Sequence, residues 1–486
     1  MRYSTPEQCG ICTSDIKDFI DRLEADNLTT HSVIIMRGSS VILEKYWSPF
    51  NRELRHRLYS VTKSFVSLAI GFLADEGKIS LDDPISRYFP SETEGLAAEI
   101  RGQTVRDMLM MRTAFPKGLK NWFTASPDDR VEFYFRSGNG YLYPSGTMYQ
   151  YDSNGSFILC ALAERVSGKD IVTYLDEKLF SHIGVEGAYA LKCPGGHSWG
   201  DSALIMRPID LARSARFVMN GGSWEGKQLI SADYIREAVS CKVPTTHFGE
   251  ASIGAYGYGY QFWCSKHGSF FFNGMGCQLA LCCPDHDLIL VYNGDNQGNP
   301  VAKDVIFNAF FDTVYKNASD TPLEEYRGAP IPEHELFFVR GSATSPMAQS
   351  IGGKRYTLEK NPMGISELCL SFGDSCGMLT YTNARGTHEI PFGIGKNACG
   401  LFPEEGYSSV VGSKPTPGHK YKMAASGAWL VPDCFLIRVQ AIDEYFGNLS
   451  FMLSFKDDRI ALRCMKCAEN FFFDYGDGYA HGKSIK

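Results

Sequence analysis

The sequence predicts an α+β fold, an antiparallel sheet with a helical subdomain, followed by a small all-β domain. Three observations predict it. Strand-like apolar segments open and close the first 320 residues, and helical runs lie between them. A stretch rich in Pro, Ser, Gly and charge, 321–350, reads as a linker. From 351 to 486 apolar residues alternate at period two between closely spaced turns. At 486 residues the chain has length for two domains, each with its own core.

The elements follow in order. Val33-Ile-Ile-Met and Val41-Ile-Leu-Glu-Lys-Tyr-Trp flank Arg37-Gly-Ser-Ser as the two strands of a hairpin. A helical run headed by Ser60 stops at Gly77 before an Asp82-Asp-Pro turn. Thr104-Val-Arg-Asp107 reads as a capping box. Thr113 to Gly146 reads as one long aromatic and charged loop. Helices are expected over Ser156 to Val166, Ile171 to Ile183 and Ile209 to Asn220. Tyr256 to Cys264, Phe270 to Asn273, Gln278 to Cys283 and Leu288 to Tyr292 read as strands, and Ala302 to Tyr315 as a closing helix. In the second domain, segments such as Leu368-Cys-Leu-Ser-Phe and Leu449-Ser-Phe-Met-Leu-Ser-Phe alternate strand-fashion.

Composition narrows the function. A net charge of −7 and a pI near 5.9 argue against a nucleic-acid-binding surface. The longest apolar runs, such as Phe65 to Ala74, are too short to span a bilayer, and the amino terminus lacks the apolar core of a signal peptide. A cytoplasmic protein is expected. The 15 cysteines are scattered without a framework, which fits reduced thiols. Cys9/Cys12 and Cys464/Cys467 could together supply four zinc ligands, but they fall in different predicted domains. Neither a metal nor another cofactor is expected. Oligomeric state is left open.

The chemistry concentrates at Ser60-Val-Thr-Lys63. Positions i and i+3 share a helix face, so the Lys63 amine can reach the Ser60 hydroxyl. A buried, neutral lysine can take the serine proton and make a weak hydroxyl nucleophilic. Ser60 also heads the helix, where free N–H groups favour a developing oxyanion. The bland alternative is a helix cap followed by a solvated lysine.

The run from Ser60 into Ala74-Asp-Glu-Gly-Lys-Ile-Ser-Leu-Asp-Asp-Pro-Ile-Ser-Arg-Tyr-Phe-Pro90 resembles the serine β-lactamase-related family of class C β-lactamases, DD-peptidases, esterases and amidases. The resemblance extends from about His31 to Asn317 and is closest to the β-lactamase-related serine hydrolases. It implies a β-lactamase/transpeptidase-like fold. It also matches Pro144-Ser-Gly-Thr-Met-Tyr-Gln-Tyr151-Asp-Ser153-Asn-Gly to a second family motif, with Tyr151 at the catalytic tyrosine. A phenol there can relay protons between Ser60, Lys63 and a leaving group where nearby positive charge lowers its pKa. The motif asparagine is Ser153 here, which alters that substrate contact.

A third motif, normally carrying Lys or His on a strand, corresponds to Phe272-Asn273-Gly274-Met275-Gly276-Cys277-Gln278. The resemblance implies that the backbone N–H groups of Ser60 and Met275 form the oxyanion hole, and that Asn273 and Gly274 line the substrate. No cation stands there to pair with a β-lactam or peptide carboxylate. Trp122 and its aromatic neighbours Phe123, Tyr141 and Tyr143 suit an apolar acyl or aryl group.

Gly196-His-Ser198-Trp-Gly200 matches the Gly-x-Ser-x-Gly nucleophile elbow, a rival centre. The text before it is poor in strand formers, and Pro208 interrupts a following helix. The reading is therefore a serine hydrolase that forms an acyl-enzyme on Ser60 and cleaves a small ester or amide. Acyl transfer through the same intermediate and a non-catalytic binding protein with an altered cleft remain alternatives.

Overall fold

A computed structural model describes residues 1–118, 128–246, 256–406, 416–467 and 476–485. They divide into two units, Met1–His334 and the residues from Glu335 onward.

In the first unit, α1 (Thr13–Ala25) buries Ile16, Phe19, Ile20 and Leu23 on one face, the 3.6-residue stripe of an amphipathic helix. Strands β1 (Thr30–Arg37) and β2 (Ser40–Ser48) make the expected hairpin. Gly38 reverses it at φ +56°, a conformation free of Cβ penalty. Helix α2 (Thr62–Asp75) is buried from Thr62 through Leu73, as an apolar helix without a polar face must be. Then come α3 (Ser153–Ser167), α4 (Pro208–Met219), β3 (Phe270–Gly274), β4 (Gln278–Cys283), β5 (Leu288–Gly294) and α5 (Ala302–Phe310).

The sheet runs in the order Arg2–Tyr3, β2, β1, β5, β4, β3, Trp263–Cys264, Gly257–Tyr258, Val243–Pro244. Pairings are antiparallel apart from Arg2–Tyr3 on β2. β1 joins β5 in the register Ile34↔Val291, so the first and last long strands are neighbours. Alternation along β3 decides the two faces. Phe271 meets Phe307 of α5 edge-on at 5.1 Å, whereas Phe272 lies 6.1 Å from Phe65 of α2. Each fully buried phenylalanine contributes roughly 1.5–3 kcal/mol.

Three expected elements differ. The segment read as one loop, Thr113 to Gly146, contains the helix Arg130–Arg136; Asp129 caps it by accepting from Glu132 N, and Val131, Tyr134 and Phe135 are buried. Helix α3 begins at Ser153, three residues early, because the Asp152 carboxylate accepts from Gly155 N. Tyr256 to Cys264 is not one strand. Gly257–Tyr258 and Trp263–Cys264 pair with each other around a reversal. A Cβ on Gly259 would stand 2.1 Å from the Ala238 carbonyl oxygen, and Gln261 sits at φ +63°.

The second unit starts with irregular chain in which Leu336 and Val339 are buried, followed by the helix Pro346–Ile351. Its strands are β6 (Arg355–Leu358), β7 (Glu367–Phe372), β8 (Cys376–Asn383), β9 (Gly386–Ile394), β10 (Ala398–Leu401), β11 (Lys422–Val431), β12 (Cys434–Ala441), β13 (Asn448–Lys456), β14 (Arg459–Cys467) and β15 (Gly478–Ser484). They run β9-β8-β7-β6-β15-β14-β13-β12-β11, and a parallel pairing of Gly393 with Ser426 closes nine of them into a barrel. β10 adds alongside β11. Closure removes the sheet edges, and the period-two residues Leu449, Phe451, Leu453 and Phe455 fill the inside. No helix among the described residues is long and apolar enough to cross a membrane.

Candidate active site

Ser60 lies in the single 3₁₀ turn Tyr59–Val61 directly ahead of α2. Tyr59 holds φ +49°, a costly conformation for an aromatic residue and typical of functional turns. The turn is clamped from both sides by one segment. Leu58 N donates to Leu204 O at 2.8 Å, Leu204 N donates to Thr62 Oγ1 at 3.0 Å, and Arg57 pairs with Ile205.

One turn on from Ser60, Lys63 Nζ donates to Ser60 Oγ at 3.0 Å and to the Asp201 carbonyl at 2.6 Å. Lys63 is 1% exposed. The i, i+3 spacing therefore delivers the contact that the sequence implies, and burial excludes the solvated-lysine alternative.

Tyr151 stands on the other side of the amine, with Lys63 Nζ 5.1 Å from its ring centroid. Its ring stacks on Trp263 at 5.8 Å and meets Tyr258 edge-on at 6.4 Å. Among the described residues its hydroxyl makes no hydrogen bond, to Ser60 or otherwise. Ser153 is the first residue of α3 and half-buried. The intervening Asp152 is buried and accepts from Thr113 Oγ1 at 2.9 Å and Gly155 N at 2.9 Å. Burial raises its carboxyl above the usual range.

Gln261 links these elements. Its carbonyl accepts from Ser64 Oγ of α2 at 2.7 Å, and its side-chain oxygen accepts from Ser156 Oγ of α3 at 2.7 Å. Its amide nitrogen donates to the Met108 and Leu109 carbonyls at 3.2 and 3.0 Å. The hairpin that carries Tyr258 and Trp263 is thereby fixed to α2, which carries Lys63, and to α3, which starts two residues after Tyr151.

The end of β3 closes the site. A Cβ on Gly274 would stand 2.2 Å from the Leu58 carbonyl oxygen and 3.3 Å from Val61, so this strand end touches the Ser60 turn. Met275 follows the last paired position, Gly274↔Gln278. Gln278 Nε2 holds the turn by donating to Gly294 O at 2.6 Å. Phe272 is buried against α2, and half-buried Asn273 pairs with Leu279 in the ladder. Ser60, Lys63, Tyr151 and Gly274 thus converge, and Met275 is the next residue after Gly274. Trp122 and Phe123 lie outside the described residues; Tyr141 is exposed and Tyr143 half-buried.

The rival serine is elsewhere in character. Ser198 is 1% exposed, and its carbonyl takes the Cys160 thiol, so no substrate reaches it. Its segment instead supplies Asp201 to Lys63. The sequence reading passes over Asp201, Asp152 and Gln261. Only Asp152 carries a local signal, a cap residue before an apolar helical run. Among the described residues, no group of three or more His, Cys, Asp or Glu could hold a metal ion.

The family model described as Beta-lactamase matches residues 16–309. A 6-aminohexanoate-dimer hydrolase from Paenarthrobacter ureafaciens is 27% identical over 290 residues, covering 54% of this chain and 70% of that protein. The octameric penicillin-binding protein homologue from Pyrococcus abyssi superimposes with a TM-score of 0.50 at 16% identity, covering 97% of this chain and 99% of that one. EstCE1, a hydrolase with promiscuous acyltransferase activity, gives 0.51 at 14% identity, covering 62% and 100%.

Proposed function

The chain belongs to the β-lactamase family, and from that premise we propose that it is a serine hydrolase forming an acyl-enzyme on Ser60. The observation that carries this reading is the 3.0 Å hydrogen bond from buried Lys63 to the Ser60 hydroxyl. In acylation Lys63 takes the Ser60 proton as Oγ bonds the substrate carbonyl carbon. The carbonyl π pair moves onto oxygen, where the N–H groups of Ser60 and Met275 receive it. Collapse expels the leaving group, which takes a proton from Lys63 directly or through Tyr151. Water then attacks the acyl-enzyme by the same proton route in reverse.

The substrate is a small ester or amide. The absence of a cation at Phe272, Asn273 and Gly274 supports a substrate without a carboxylate at that position, because a buried unpaired carboxylate is costly. The relative named as a dimer hydrolase supports a small-molecule substrate in the same way. The test is hydrolysis of short acyl aryl esters beside a cephalosporin. Ser60→Ala should abolish ester hydrolysis, Ser198→Ala should retain most of it, and cephalosporin turnover should be far slower. Loss in Ser198→Ala alone would refute the reading.

A further inference from the structure

Asp201 follows directly on the Gly-x-Ser-x-Gly segment 196–200. The chain reverses tightly after Trp199, whose carbonyl accepts from Ser202 N at 3.2 Å and Ala203 N at 3.0 Å. The reversal sets the Asp201 carbonyl on Lys63 at 2.6 Å and turns the Asp201 carboxyl inward. The residue is 3% exposed, and its Oδ1 is buried without a hydrogen-bond partner among the described residues.

Three buried basic residues from three elements lie around this reversal: Lys63 of α2 on the Asp201 carbonyl, Arg57 of the strand His56–Arg57 on its neighbour Ser202, and Arg130 of the helix Arg130–Arg136 over Trp199. The two guanidiniums lie 4.8 and 4.5 Å from the Trp199 ring. Arg57 also donates to Ser202 O at 2.9 Å. Two buried thiols lie nearby, Cys160 of α3 and, beside Arg130, Cys193, and burial raises both above the ordinary thiol range. Glu164, further along α3, is engaged by His197 Nδ1 at 2.7 Å and Ser198 N at 3.2 Å.

Guanidiniums stay charged, so the cluster can vary its charge only at Lys63 and Asp201. When Lys63 takes the Ser60 proton, its charge rises by one in a site that already holds two cations. An ionised Asp201 offsets that increase; a protonated one does not. We propose that Asp201 is a positioning residue of the acyl-transfer site, whose carboxylate stabilises the ammonium Lys63 becomes and whose protonation slows the reaction. The proposal rests on the reading of Ser60 as nucleophile. Burial pushes the Asp201 carboxyl up to about 6 against the pull of Lys63, Arg130 and Arg57. The carboxylate is present above that pH and lost below it, so the rate falls on acidification through this range.

The test is kcat/KM for an aryl acetate from pH 5 to 9 in the wild type, Asp201→Asn and Asp201→Glu, with Ser60→Ala as blank. The wild type should show an acid limb at or above pH 6, because a neutral Lys63 no longer pulls the Asp201 carboxyl down. Asp201→Asn should lack it, run about 10- to 100-fold slower at pH 8, corresponding to one to two pK units of lost charge compensation, and keep KM within about twofold. Asp201→Glu should restore a limb at a displaced pH. An unchanged limb and plateau in Asp201→Asn would overturn the proposal while leaving Ser60 in place. Hydrolysis by Ser60→Ala at the wild-type rate would overturn both. Should Asp201→Asn not fold, a wild-type rate that is flat from pH 5 to 7.5 overturns the proposal by itself.

Discussion

Gly274 lies so close to Leu58 that a Cβ on it would stand 2.2 Å from the Leu58 carbonyl oxygen. Backbone cannot yield at that contact as a flexible side chain would. The end of β3 is therefore seated on the turn that carries Ser60, as the oxyanion hole proposed for the Ser60 and Met275 N–H groups requires.

Gly274→Ala should displace that strand end. Losing one positioned donor costs about 10²- to 10³-fold in kcat, so ester hydrolysis should fall by that order. Steady-state kinetics with a thermal melt would check it. Near-full activity in a folded Gly274→Ala protein would show that β3 does not form the hole.

Lys63→Ala and Tyr151→Phe should each lower kcat by roughly 10²- to 10⁴-fold, the range for lost acid–base catalysis. Tyr151→Phe keeps the ring on Trp263, so its melting temperature should stay close to that of the wild type. Unimpaired single-turnover acylation and deacylation in both variants would remove the two residues from the mechanism.

Gln261→Ala should act on stability first. It removes three side-chain hydrogen bonds at about 0.5–1.5 kcal/mol each, while Met108 O keeps Met111 N, Leu109 O keeps Gln261 N and Ser156 Oγ keeps Asp152 O. It also retains a side chain at φ +63°. Gln261→Gly removes that strain, so its denaturant midpoint should lie above that of Gln261→Ala. A reversed order would mean that the left-handed backbone costs nothing here.

His31 and His56 form a buried pair, with Nδ1 and Nε2 3.3 Å apart and His31 stacked on Phe50. Burial depresses both, His56 to about 4. The unfolded chain, with ordinary histidines near 6.5, binds more protons than the folded one below that pH. Stability present above pH 6.5 should therefore be lost as pH falls toward 4. His56→Gln should flatten the slope of unfolding free energy over that window, and an unchanged slope would assign it to other groups.

Much of this was legible before the structure. The spacing of Ser60 and Lys63 sets their contact because the 3₁₀ turn holding Ser60 runs straight into α2, keeping i and i+3 on one side. The hairpin and the strands near Gly274 follow from period-two patterning and turn residues. Asp201 was not legible, since it reaches Lys63 across 138 residues and no local pattern records that pairing. The reversal at Gln261 was hidden for a related reason. Tyr256 to Cys264 is rich in aromatic strand formers, and contact with the Ala238 carbonyl decides where it turns. The helix Arg130–Arg136 is too short for periodicity to mark, and its cap at Asp129 is the only local sign of it.

The central claim is that Ser60 is the nucleophile, and covalent labelling addresses it most directly. A fluorophosphonate probe, followed by peptide mass spectrometry, should place one adduct on the peptide containing Ser60. Ser60→Ala should abolish the adduct and Ser198→Ala should preserve it. An adduct on Ser198, or ester hydrolysis that persists without any adduct on Ser60, would contradict the account.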